Sequence, residues 1–125
     1  MDFVYASKNL MVNFRARFTY VDDHTFVLRK GSTVNPVVSR RFKSWATVLQ
    51  RRGRAGIDPG NLTLKEDIVF TSATQAGEFV CGHACQGPLC WIGDDGRSFK
   101  EWRASLGVPD ETEDSAGSGD GENRE

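Results

Sequence analysis

Between Met11 and Tyr20 apolar and polar residues alternate. Val12, Phe14, Ala16, Phe18 and Tyr20 fall on one face, and Asn13, Arg15, Arg17 and Thr19 on the other. A period of two with aromatic enrichment predicts a half-buried β-strand. Asp22-Asp23 supplies turn chemistry. Thr25 to Lys30 predicts a second strand, stopped by Gly31-Ser32. Pairing Tyr20 with Phe26 and Phe18 with Leu28 keeps the apolar side chains together. That register sets Arg17 opposite Arg29 and Arg15 opposite Gly31. Like charges directly across a hairpin repel one another. Exposure to water weakens the repulsion, and a bound anion would offset it.

The pattern then changes period. Val38, Phe42, Trp45 and Leu49 recur at four, three and four residues, which predicts a helix from about Asn35 or Pro36 to Arg52. Pro36 suits its first turn and Gly53 its end. Arg54 to Asn61 is dense in turn formers. Leu62 to Leu64 and Asp67 to Phe70 read as short strand pieces. Ser72 with Gln75 has the form of a capping box opening a second helix, with Ala73, Ala76, Phe79 and Val80 as its apolar stripe and Gly82 near its end. Leu89 to Ile92 and Arg97 to Phe99 flank the turn Gly93-Asp94-Asp95-Gly96. Ser98 with Glu101 predicts a last short helix through Leu106, ended by Gly107. The predicted class is α+β: antiparallel hairpins packed with two main helices and a short C-terminal helix. The expected core is Phe14, Phe18, Phe26, Leu28, Phe42, Trp45, Leu49, Phe70, Phe79 and Val80.

Composition adds a division of charge. The chain has 125 residues, of which 38% are hydrophobic and 26% charged, and a net charge of −1. Residues 109–125 hold seven acids, one base and no large apolar residue, so they predict a disordered acidic tail. Taking these from 17 acids and 16 bases leaves 10 acids and 15 bases, so residues 1–108 read as one small basic domain of about +5. No apolar run approaches the roughly 20 residues that span a bilayer. The start, Met1-Asp2-Phe3-Val4, does not resemble a secretory signal. Three cysteines, an odd number crowded into residues 81–90, favour a reducing compartment over a disulfide framework. The expected setting is cytoplasmic.

Candidate chemistry is uneven. Cys81, His83, Cys85 and Cys90 are the ligand types of a tetrahedral zinc site. Such sites join two ligand pairs a dozen or so residues apart, whereas these four lie within ten residues. Core packing is the plainer reading, and metal binding stays open. His24 lies in a turn beside two aspartates. No phosphate loop, nucleophile elbow or His-Glu-x-x-His motif occurs, and nothing pairs a nucleophile with a base. Arg15, Arg17, Arg29 and Lys30 load the first hairpin. Arg40, Arg41, Lys43, Arg51 and Arg52 lie along the predicted helix, with Arg54 beyond it. Only Asp22 and Asp23 are acidic between Lys8 and Arg54. Charge this one-sided suits phosphate backbones. Trp91 and Trp102 offer stacking surfaces for bases, although aromatic residues in a small domain are more often core.

Several stretches resemble a bacterial domain of unknown function, DUF4357. They are Phe26-Val-Leu-Arg-Lys-Gly-Ser32, the Arg51-Arg-Gly53 helix, Phe70-Thr-Ser-Ala-Thr-Gln-Ala76, Val80-Cys-Gly82, Gln86-Gly87 and Asp95-Gly96-Arg97. Their order and spacing cover roughly residues 5–102. The resemblance implies a binding or targeting role without established catalysis, because the family domain often accompanies GIY-YIG-type nucleases. This chain differs in having Gln86 where Asn is usual, in its Gly87-Pro88-Leu89-Cys90-Trp91 stretch, and in carrying no nuclease domain within its 125 residues.

The expectation is therefore a non-enzymatic module whose basic face binds DNA or RNA. The alternative is a protein-interaction or adaptor module. Neither reading calls for a cofactor, a metal or a membrane.

Overall fold

A computed structural model describes residues 1–7 and 12–107. The elements run β1 (Asp2–Ala6), β2 (Arg15–Asp22), β3 (Thr25–Leu28), α1 (Trp45–Arg54), β4 (Ile68–Phe70), α2 (Ala73–Cys81), α3 (Gly87–Cys90), β5 (Ile92–Gly93) and α4 (Phe99–Ser105). The strands form one sheet in the order β4-β3-β2-β1-β5, every neighbour antiparallel. The class is α+β, as the pattern predicts. The predicted acidic tail, residues 109–125, lies outside the described residues, as does Met11.

The first hairpin has the expected register, with Phe18 opposite Leu28 and Tyr20 opposite Phe26. The central strand is joined on its other side by β1, which sequence periodicity does not reveal. Phe3, Val4 and Tyr5 are all apolar, so no polar alternation marks a strand. Pairing sorts them. Phe3 is fully buried opposite Phe18, while Val4 lies opposite Arg17 on the other face.

All the large buried side chains of the sheet point to the helical side. Phe99 of α4 lies edge-on to Phe3 at 5.3 Å and contacts Phe18 and Phe26. Trp91 lies tilted against Phe18 with ring centroids 4.5 Å apart, and Phe79 of α2 meets Phe70 at 5.3 Å. Edge and tilted ring contacts of this kind add to the stabilisation from area burial. Trp91 has no exposed surface, and its indole N–H donates to the Ala73 carbonyl at 3.0 Å. Among the described residues no helix covers the opposite sheet face. Its cross-strand rows are Asp2–Thr19–Val27–Val69 and Ile92–Val4–Arg17.

Two helices match the expectation closely. Ser72 caps α2 by accepting the Gln75 N–H at 3.0 Å. The Gln75 side chain instead receives the Thr71 hydroxyl, so the reciprocal half of that box is not made. At α4 both halves of the Ser98–Glu101 box are present.

The first helix does not. Residues 35–39 are irregular, residues 40–44 form turns, and α1 begins only at Trp45. The competing bonds are tertiary. The Asn35 N–H donates to the Val80 carbonyl and its Nδ2 to the Cys81 carbonyl, both at 2.8 Å. The Ser39 N–H donates to the Gly82 carbonyl at 2.8 Å. This segment is the cap of α2, whose last carbonyls have no partner within their own helix. Gly53 lies inside α1 and does not end it. Val48 and Arg52 are the buried residues of α1, whereas Trp45 is half-buried and Leu49 exposed, so the core stripe is displaced from the predicted one.

The predicted strand from Leu89 to Ile92 is likewise shortened to β5. Pro88 at the start of a helical turn commits Gly87–Cys90 to α3. Gly87 permits the close packing that follows, since a Cβ there would lie 2.4 Å from the Thr74 nitrogen.

Candidate functional site

The hairpin arginines occupy the helix-free face. Arg15 and Arg17 alternate with the buried Ala16 and Phe18, so both side chains are exposed. The ladder reaches Arg29, whose N–H donates to the Arg17 carbonyl at 2.8 Å. Gly31, at φ 91°, then turns the chain. The turn shifts the pairing, so Arg15 bonds to Thr33 through one backbone and one side-chain contact rather than facing Gly31 as the simple register predicts. The Thr33 N–H donates to the Arg15 carbonyl at 2.9 Å, and the Arg15 N–H to Thr33 Oγ1 at 2.8 Å. Ser32 is buried, and its Oγ accepts the Arg17 N–H at 3.1 Å. The Lys30-Gly31-Ser32 stretch thus has a structural role, with glycine making the turn and serine replacing a strand partner.

Each arginine of the like-charged pair has a carboxylate of its own. Arg17 Nε lies 3.7 Å from Asp2, and Arg29 Nε lies 3.4 Å from Asp67. The Arg29 Nε contact lacks hydrogen-bond geometry, but Nη1 of the same side chain donates to Thr19 at 3.0 Å. The Lys30 N–H donates to Asp67 at 2.7 Å and, with Arg29, holds that carboxyl below its ordinary range. Neither acid is visible as a partner in the sequence. Asp2 sits on the unforeseen β1, and Asp67 is 37 residues from Lys30 along the chain. The repulsion that suggested an anion is therefore already offset. Arg15, Arg17, Arg29 and Lys30 border a shallow hollow of about 340 Å³ on this face.

The remaining basic residues separate into distinct settings. Arg40 stacks 4.3 Å from the Trp45 ring centroid, and Arg41 and Lys43 are exposed in the turns before α1. Arg51 lies 5.8 Å from the Phe70 ring centroid and lines a groove beside β4. Arg52 departs most from the surface role that its position in the basic run suggests. It is buried, and its guanidinium donates to the Phe79, Val80 and Asn35 carbonyls at 2.7–3.2 Å. Burial pushes its pKa down to about 10, which still leaves it charged at neutral pH. The partial negative charge of the α2 C-terminus faces this cation.

Cys81 is buried at the end of α2, and Cys85 and Cys90 are half-buried. Among the described residues no group of three or more His, Cys, Asp or Glu is arranged to hold a metal ion. Cys81 Sγ donates to the His83 carbonyl and Cys85 Sγ to the Thr74 carbonyl, and the contact between the two thiols holds Cys81 below its ordinary range. The same contact, together with burial, pushes Cys85 up. Of the two tryptophans considered for base stacking, Trp91 is enclosed in the core. Trp102 packs half-buried on Phe3 and Tyr20.

These features define a class: a small α+β domain with helices on one sheet face and arginines on the other. The sequence model described as Domain of unknown function (DUF4357) matches residues 6–103, and the chain belongs to that family. No curated protein and no solved structure matches it. No helix among the described residues is long and apolar enough to cross a membrane.

Proposed function

We propose that this protein is a non-catalytic module that binds nucleic acid through two separate basic patches, the helix-free face of its sheet and the cations around α1. One observation carries the reading. Among the described residues, ion pairs engage Arg17, Arg29, Arg97 and Arg103, while Arg15, Lys30, Arg40, Arg41, Lys43, Arg51 and Arg54 have no carboxylate within 4.0 Å. Cations without a carboxylate partner are free to neutralise phosphates and release counterions. The three free thiols suit a reducing compartment, which favours the cytoplasm.

Titration of labelled oligonucleotides at several salt concentrations tests this. Affinity should fall linearly in log–log form as salt rises. Arg15→Ala or Lys30→Ala should each lower the slope by about one, with similar losses across sequences. Binding without salt dependence would defeat the proposal.

A second reading, a protein-interaction or adaptor module, has its own support. Val21, Val69 and Ile92 are 58%, 62% and 40% exposed on the sheet, and apolar residues so placed suit a protein partner. Such an interface would respond weakly to salt.

A further inference from the structure

A groove of about 600 Å³ runs between the end of α1 and the edge strand β4. That volume lies in the range of small-ligand sites, roughly 300–1,000 Å³. Ala55 and Ile68, half-buried over the core residues Leu64, Phe70 and Phe79, form its apolar floor, and Arg51, Arg54 and Lys65 its cationic rim. None of these three cations has a carboxylate within 4.0 Å among the described residues. The Arg51 guanidinium carbon lies over the Phe70 ring, 5.8 Å from its centroid and within cation–π range. Thr71 donates its hydroxyl to Gln75 Oε1 at 2.8 Å, which orients the amide and leaves its N–H groups as donors. Two acids also border the groove. Asp67 is engaged by Arg29 and by the Lys30 N–H, so Glu66 at the groove and Glu78, which lies near enough to Arg51 to interact with it, are the opposing charges.

An apolar floor, a stacking guanidinium, an oriented amide and a cationic rim together match a flat heterocycle joined to a phosphate. We infer that the groove takes one unstacked nucleotide of a single-stranded nucleic acid. The base lies over Arg51 within reach of Gln75, and the phosphate meets Arg54 and Lys65. A duplex offers phosphates to the rim but keeps its bases from the floor, so the groove selects single strands. This deepens the proposed function and rests on it.

The test uses the full chain labelled for amide NMR. Adenosine 5′-monophosphate, adenosine and inorganic phosphate are each titrated to about 10 mM, a range suited to millimolar affinity. The monophosphate should shift the amides of Leu64, Thr71 and Gln75 to saturation, at least about tenfold more tightly than either half alone, equivalent to about 1.4 kcal/mol. Equal affinity for phosphate would overturn the inference, since the floor would then contribute nothing. Absence of shifts in the groove would do the same. So would a tighter response at these amides to an acidic, phenylalanine-containing peptide, which would make the groove a protein site.

A second arm compares a single-stranded oligonucleotide with a hairpin duplex at one salt concentration. The single strand should bind more tightly. Arg54→Ala with Gln75→Ala should weaken it several-fold more than the duplex. Equal binding of both forms, sensitive to Arg15→Ala but not to the groove changes, would overturn the groove and leave the proposed function standing. Saturation by the monophosphate with no oligonucleotide binding would overturn both the strand as the source and the proposed function.

Discussion

Arg52 is a cation placed where no carboxylate meets it among the described residues. Four hydrogen bonds to three main-chain carbonyls hold it, and two of those carbonyls belong to the last turn of α2. Removing the guanidinium leaves buried acceptors without donors. Arg52→Leu should therefore cost about 3 kcal/mol in denaturant unfolding. Arg52→Lys should recover only part of this, because an ammonium lacks the planar fork. A loss below about 0.5 kcal/mol, the level of an ordinary surface substitution, would show that the buried placement is wrong.

Asp23 makes the opposite kind of contact, open to water. Arg103 donates to both its carboxylate oxygens, and Tyr20 donates its hydroxyl at 2.6 Å. Chiefly because of Arg103, the Asp23 carboxyl is held below its ordinary range. A folded-state value below the unfolded one stabilises the protein above the unfolded pKa, near pH 4, and the contribution is lost as pH falls through the folded value. Asp23→Asn should flatten the loss of stability between neutral pH and about pH 3 by no more than about 1 kcal/mol, given the exposure of the pair. Identical acid-unfolding curves for the two proteins would show that the pair contributes nothing.

At the scale of elements, two glycines separate what is local from what is tertiary. Gly53 resembles a helix terminator in sequence but lies inside α1, where a Cβ would meet nothing within 4 Å. Gly53→Ala should raise stability by about 0.5–1 kcal/mol through helix propensity. Gly82 closes α2 at φ 76°, and a Cβ there would lie 2.3 Å from the Val37 carbonyl oxygen. Gly82→Ala should cost more than about 2 kcal/mol, since left-handed strain and a backbone clash add. Thermal melts of both variants check the contrast, and equal effects of one sign would contradict the packing of residues 35–39 on α2. The same packing explains why α1 is shorter than its apolar repeat predicts. The caps of α2 and α4 were legible because their partners lie three residues apart. The cap formed by Asn35 on Cys81 was not, because its partners are 46 residues apart.

At the scale of the molecule, charge is segregated. Within the described sheet and its turns, Asp22, Asp23, Asp94 and Asp95 lie in or beside turns, and Asp23 and Asp95 pair with Arg103 and Arg97. Positive charge collects on the first hairpin and around α1. Residues 109–125 add seven acids on the same chain. A tethered polyanion competes with phosphates for the same cations. Replacing those seven acids with their amides should tighten oligonucleotide binding several-fold at low salt. The gain should shrink towards about 1 M salt, where the screening length falls to about 3 Å. Unchanged affinity at low salt would show that the tail does not compete for this face.

Sequence alone determined the features that depend on near neighbours. These are the alternation that pairs Phe18 with Leu28, the serine caps of α2 and α4, and the basic excess of residues 1–108. Local geometry and composition suffice for each. Tertiary structure decided which charges remain available. It brought Asp2 and Asp67 beside Arg17 and Arg29, drew Arg52 inward to the carbonyls of α2, and gathered Arg51, Arg54 and Lys65 around the β4 groove. It also placed Trp91 in the core and made β1 a strand despite its uniform apolarity. Pattern reports whether a residue suits water or a core. The partner of a charge depends on segments far apart in the chain, and only folding brings those segments together.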